Sequence, residues 1–238
     1  MKLIIDIGNT AVKLALFKDK ELVSATAIGD CNLKNVLSFV GVQFISGAII
    51  SSVKELNKEI EKIINHFDAL FLVENTPVPI TIAYKTPHTL GRDRIAAVVG
   101  ASVLFPKQDV LVFDAGTCLT IDFINKEKVY KGGRISPGIT MRFKALHTFT
   151  DKLPLVQQEK RVASIGDDTN SSISSGVQQG ILAEVKLIIS EYKSQNPTTI
   201  SVVTGGDYFF FEKELKNSIF ANPNLVLIGL NEILDYNE

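Results

Sequence analysis

Tryptophan is absent from the 238 residues, cysteine and methionine occur twice each, and histidine three times. Two cysteines, Cys31 and Cys118, cannot build the several bridges that staple a small secreted scaffold. His66, His88 and His147 are scattered and provide no zinc-ligand spacing. An excess of one charge is missing too: 25 Lys and Arg against 26 Asp and Glu leave a formal net charge of −1. With no global basic field to hold a polyphosphate backbone, nucleic acid is not expected as a partner. No uninterrupted apolar run approaches the roughly 20 residues that span a bilayer, and the chain turns acidic at Asp6, too early for a secretion signal. The expectation is a cytoplasmic protein without a membrane partner. Its 45% hydrophobic residues suffice for a sizeable core.

What is present is a repeated plan. Leu3 to Ile7 reads as a buried strand that stops at a polar turn, Val12 to Phe17 resumes it, and Leu22 to Ala27 forms a hairpin partner beyond Lys18-Asp19-Lys20. The same plan recurs at Val110 to Ala115, Leu119 to Ile124 and a turn at Asn125 to Lys128. An offset of 108 residues superposes Asp6 on Asp114, which predicts two like-built lobes, 1–108 and 109–238, with a cleft between them. Val53, Leu56, Ile60, Ile63, Ile64 and Phe67 predict an amphipathic helix, followed by strands at Ala69 to Val73 and Val78 to Tyr84. Ile95 to Phe105 predicts a buried helix stopped by Pro106. Ile173 to Tyr192 predicts another, which ends at Asn196-Pro197. The polar stretch from Asp151 to Ser172 reads as a loop, and Ile200 to Thr204 as a strand before Gly205-Gly206-Asp207 and a helix over Phe209 to Lys216. Strands and helices alternate, so the class is α/β.

Asp6-Ile7-Gly8-Asn9-Thr10, with Lys13 following, gathers a carboxylate, a glycine that admits a phosphate to the main chain, two short polar side chains and an ammonium. Asp, Gly and Asn also punctuate ordinary turns. A second copy, Asp114-Ala115-Gly116-Thr117, favours the chemical reading, with both turns on one triphosphate. Gly91-Arg92-Asp93-Arg94 stands at a helix entry, where the macrodipole favours aspartate but disfavours arginine unless an anion is near. Arg94 is suited to a two-pronged grip on a carboxylate, and Asp93 to the proton of a hydroxyl on the same molecule. Gly132 to Gly138 reads as a turn-dense stretch that either shapes the cleft floor or makes a sharp structural corner. Gly205-Gly206-Asp207 admits a flat ligand or makes a tight turn, and Gly176 and Gly180 read as close packing against another backbone.

In order, spacing and content these motifs resemble the type III pantothenate kinases, a bacterial branch of the actin-like ATPase superfamily. Asp6-x-Gly8-Asn9-Thr10-x-x-Lys13 is similar to the family's first phosphate motif, and Asp114-x-Gly116-Thr117 to its second. Tyr84, Thr86-Pro87 and Gly91-x-Asp93-Arg94 resemble its substrate segment. Gly132-Gly133-x-Ile135-x-Pro137-Gly138, Gly166-x-x-Thr169, Ser175-Gly176 and Thr204-Gly205-Gly206-Asp207 are similar to later landmarks.

The resemblance implies two ribonuclease H-like lobes and ATP-dependent phosphorylation of pantothenate to 4'-phosphopantothenate, which opens coenzyme A biosynthesis. It implies Asp93 as the catalytic residue, with pantothenate held by Tyr84, Gly91, Arg92, Asp93, Arg94 and, across a homodimer, Thr169. ATP would be held by Asp6, Ile7, Gly8, Asn9, Thr10, Ala11, Val12, Lys13 and Thr117, together with Mg2+. Asp114 would bind a monovalent cation, K+ or NH4+. One departure is Asp168, where the family usually has Asn, which adds a negative charge beside an anionic substrate. Alternatives from other classes are a nucleotide-binding regulator and a polymerising structural protein on the same scaffold, and within enzymes a kinase of another small hydroxy acid.

Overall fold

The computed structural model describes residues 1–238. The chain divides into two compact units, Met1–Lys107 with Phe123–Gly132 and Asn224–Glu238, and Gln108–Asp122 with Gly133–Pro223. This differs from an uninterrupted second lobe over 109–238, because the C-terminal segment returns to the first unit.

In unit 1, β1 (Lys2–Ile7), β2 (Val12–Lys18) and β3 (Glu21–Ile28) form an antiparallel meander. Helix α1 (Leu33–Val40) leads to β4 (Gly47–Ser52), and α2 (Lys58–Phe67) leads to β5 (Leu70–Phe71). The strand order is β3-β2-β1-β4-β5, with β4 parallel to β1. Alternation puts Leu3, Ile5 and Ile7 on one face, in a core shared with Val36, Val40, Ile60 and Ile63 of the two helices. Eight residues cannot hold α1 helical alone. Burying Val36 and Val40, at roughly 1.5–3 kcal/mol for each fully buried side chain, does so. The expected start of α2 at Val53 is corrected: the Asn57 side chain accepts from the N–H groups of Glu59 and Ile60 and caps the helix there. Val53 and Leu56 precede the cap and are exposed.

The expected strand over 78–84 shortens to β6 (Thr81–Ile82). A 3-10 turn at Pro87–Thr89 precedes α3 (Arg92–Leu104), which is buried nearly all round as its composition predicts.

Unit 2 repeats the plan with β7 (Val110–Ala115), β8 (Cys118–Ile124) and β9 (Val129–Pro137), whose first residues belong to unit 1. Helices α4 (Ile139–Thr148) and α5 (Thr169–Gln195) lead to β10 (Ile200–Thr204), and α6 (Tyr208–Glu214) leads to β11 (Phe220–Ala221). The order β9-β8-β7-β10-β11 matches the first sheet, with β6 added at the β9 edge. The chain closes with α7 (Leu225–Asn237), which packs on α3, β1 and β4 and so covers the second face of the first sheet.

Three expectations change in unit 2. Gly132 to Pro137 is strand rather than corner, and only Gly132, at φ 109°, departs from extended backbone there. Gly176 and Gly180 are not packed against a backbone: no atom lies within 4 Å of where a Cβ would stand. The polar stretch ends at Asp168, where α5 begins. No helix is long and apolar enough to cross a membrane.

Candidate active site

The first turn of unit 1 is closed by the Gly8 N–H, which donates to the Ala11 carbonyl at 3.1 Å. Asp6 is the register partner of Lys13 on β2 and of Ser51 on β4. Carboxylate, ammonium and hydroxyl therefore share one sheet face. Ile7 and Val12 project to the other face and are core residues, so their side chains are turned away from that group. Asn9 and Thr10 are exposed at the tip, and Gly8 and Ala11 are half-buried.

The Gly-x-Asp-Arg segment has a local explanation. Asp93 lies in the first turn of α3, and its Oδ1 accepts from the Arg94 N–H at 2.8 Å. That carboxylate folds over Gly91, where a Cβ would stand 2.5 Å from Oδ1. A side chain at 91 would have to displace that carboxylate, so glycine there lets Asp93 keep this position. Arg94 is 6% exposed and engaged within the protein, whereas Arg92 is half-buried and makes no ion pair. The accessible guanidinium is thus Arg92, not the Arg94 that the sequence pattern favoured. Tyr84 is placed by two residues that the sequence did not single out for this role. Its ring lies 5.9 Å from that of the fully buried Tyr130 and against Gly132, whose absent Cβ would come within 3.5 Å of it.

In unit 2, Asp114 stands at the carboxyl end of β7, beside its parallel register partner Thr204 on β10. Ligands of open α/β sheets collect at such strand ends. Gly205, at φ 90°, passes so close that a Cβ would stand 2.5 Å from Asp114 Oδ1. The Asp207 N–H then donates to the Ala115 carbonyl at 2.8 Å, which ties the start of α6 to the same turn. On the other side the Gly138 N–H donates to the Thr117 carbonyl at 3.1 Å. The Thr117 side chain is exposed. Burial pushes the Asp207 carboxyl above its ordinary value.

Thr169 is the first residue of α5 and is exposed. Asp168 before it is the helix cap: it accepts from the Ser171 N–H at 2.8 Å, and Ser171 Oγ accepts from the Asp168 N–H at 3.0 Å. The main-chain bond to Ser171 holds the Asp168 carboxyl below its ordinary value. Its added charge is matched by a helix N-terminus.

Asp6 to Lys13, Tyr84 and Gly91 to Arg94 lie in unit 1, and Asp114, Thr117 and Thr169 in unit 2. A cavity of about 410 Å³ in unit 2, walled by Lys160, Arg161, Gln178, Leu182 and Phe210 among others, contains none of them.

Comparison with known proteins identifies the family. The family model for type III pantothenate kinase matches residues 2–191. A type III pantothenate kinase of Bacteroides fragilis is 44% identical over 239 residues, 100% of this chain and 98% of its own. Among solved structures, a conserved Baf family protein from Campylobacter jejuni superposes with a TM-score of 0.64 at 23% identity, covering 99% of this chain and 98% of its own. An inorganic polyphosphate/ATP-glucomannokinase from Arthrobacter sp. strain KM superposes at 0.51 and 13% identity, with 100% of both chains covered. Identities this low speak for the fold alone, which is the actin-like ATPase fold.

Proposed function

The chain belongs to the type III pantothenate kinase family, and from that premise we propose that it transfers the γ-phosphoryl group of ATP to the terminal hydroxyl of pantothenate. The product is 4'-phosphopantothenate, on the way to coenzyme A. The observation that carries this reading lies inside the matched residues 2–191: two like-built phosphate turns and a carboxylate, Asp93, fixed in the first turn of buried α3.

Asp93 Oδ1 is occupied by the Arg94 N–H, which leaves Oδ2 for the substrate hydroxyl. In a loose phosphoryl-transfer transition state the hydroxyl loses its proton late, so a weakly basic carboxylate contributes chiefly by aligning the attacking oxygen. Arg92 is read as the partner of the pantothenate carboxylate, with Tyr84, Gly91 and Arg94 shaping that side. Asp6 to Lys13 and Thr117 are read as the ATP contacts, with Ile7 and Val12 framing the turn as strand residues.

Magnesium is read as travelling with the triphosphate, since no group of three or more His, Cys, Asp or Glu side chains is available to hold a metal ion. Asp114 is read as the residue for K+ or NH4+. A carboxylate seated over Gly205, with a buried hydroxyl lacking a partner at Thr204, fits an oxygen-seeking cation. Such an ion, when bound, offsets triphosphate charge.

A homodimer is part of this reading. Ser172, Gly176, Gly180 and Ala183 form an exposed small face along α5, behind Thr169, and small residues let two helix backbones approach.

Pantothenate-dependent ADP release, with mass analysis of the product, tests the assignment. A product heavier by one phosphoryl group is expected. ADP release that is indifferent to pantothenate would refute the substrate.

A further inference from the structure

We infer that the Thr204 hydroxyl is a positioning group for the Asp114 carboxylate, acting on the monovalent-cation site through it; this rests on the reading of Asp114 given above. Thr204 ends β10 as the register partner of Asp114 on β7. Paired residues of parallel neighbours project from the same face. Thr204 is 0% exposed, and its Oγ1 has no hydrogen-bond partner. A buried hydroxyl left unpaired is unfavourable, and a valine of the same shape avoids it. Packing therefore does not account for threonine here. The carboxylate that register sets beside it is that of Asp114, which already lies against Gly205, the next residue along. The hydroxyl proton turns freely, so a small adjustment of the carboxylate as an ion enters lets Thr204 donate to it.

The arrangement occurs twice. In unit 1 Ser51, the penultimate residue of β4, is the register partner of Asp6, is 0% exposed, and has an Oγ without a partner. Five buried side-chain polar atoms in the chain lack partners. Two of the five stand at the strand position beside a turn carboxylate, and a third, Thr120 Oγ1, is on the strand that leaves the Asp114 turn. Coincidence would scatter them. The 108-residue offset that aligns Asp6 with Asp114 does not align Ser51 with Thr204, so the recurrence follows the topology rather than copied sequence. A donated O–H orients the carboxylate and favours its ionised form, both of which a cation site needs.

Thr204→Val tests this by two readouts. One is the thermal midpoint in KCl against N-methylglucamine chloride at equal ionic strength; the other is the KCl concentration for half-maximal ADP release. The variant is expected to melt no lower than wild type without K+, to lose most of the K+-dependent rise, and to need roughly tenfold more KCl, the scale of one hydrogen bond to a charged group. Thr204→Ser, which keeps the hydroxyl, is expected to restore both. Unchanged K+ responses in Thr204→Val overturn the inference. So does a melting point well below wild type in K+-free buffer, which would make the hydroxyl structural, or a Thr204→Ser that fails like valine. A wild type that responds to K+ beside an unresponsive Asp114→Asn leaves the Asp114 reading standing whatever Thr204 does. A wild type without any K+ response removes both.

Discussion

Gly100 of α3 and Gly229 of α7 meet at a helix crossing with no space for a side chain on either. A Cβ on Gly229 would stand 2.8 Å from the Gly100 nitrogen and inside the Ala96 carbonyl oxygen, and one on Gly100 would stand 3.1 Å from the Gly229 nitrogen. The obstructing atoms are backbone, so neither helix can yield locally. Although alanine is the better helix former by about 1 kcal/mol, Gly229→Ala is expected to lose stability by about 1–3 kcal/mol or more through overpacking. Urea unfolding measures it. A variant as stable as wild type would mean that the helices slide freely.

Gly91→Ala probes the catalytic turn without touching a charged group. Gly91 has φ −57°, which alanine adopts easily, so the only conflict is with the Asp93 carboxylate 2.5 Å away. Displacing that group is expected to lower kcat by about 10²-fold with little change in melting temperature. Combined with Asp93→Asn the two losses should not add, since both remove one alignment. Additive losses would separate Gly91 from Asp93.

Asp168 is expected to behave as a cap. Its folded pKa is depressed by the bond from the Ser171 N–H, so its stabilisation is full above the unfolded carboxylate value and is lost as pH falls through the lower folded one. Asp168→Ala should therefore lower the melting temperature at pH 7, with the difference vanishing in strong acid. Asp168→Asn, which retains the cap, should lower it less. Equal melting at pH 7 for all three proteins would rule the capping role out.

The exposed small face of α5 predicts a dimer. Sedimentation velocity is expected to give twice the 26.1 kDa chain mass, and Gly180→Leu is expected to shift the population towards monomer. A monomeric wild type at micromolar concentration would exclude the shared site at Thr169.

Much of this organisation was legible in the residues themselves. The meander and its repeat at an offset of 108 followed from continuous apolar runs that end in Asp-x-Gly, because a strand buried on both faces is apolar along its length. Helix α3 was legible because it is apolar on every side. Its covering helix α7 was not, since the return of Asn224–Glu238 to unit 1 is a long-range event with no local signature. The glycines show the same limit: spacing suggested Gly176 and Gly180 for close packing, yet within the chain Gly100 and Gly229 do it, and only three-dimensional neighbours distinguish the pairs. At the site, the role of Gly91 could not be read from sequence because it depends on where Asp93 folds. The hydroxyls of Ser51 and Thr204 were silent because register between distant strands gives them their meaning.

The most direct test compares wild type with Asp93→Asn for ADP release at saturating ATP, Mg2+, K+ and pantothenate, while pantothenate binding is measured by calorimetry. A carboxylate that aligns the hydroxyl predicts turnover lower by roughly 10²–10⁴ with binding largely kept. Undiminished turnover in Asp93→Asn would contradict the account.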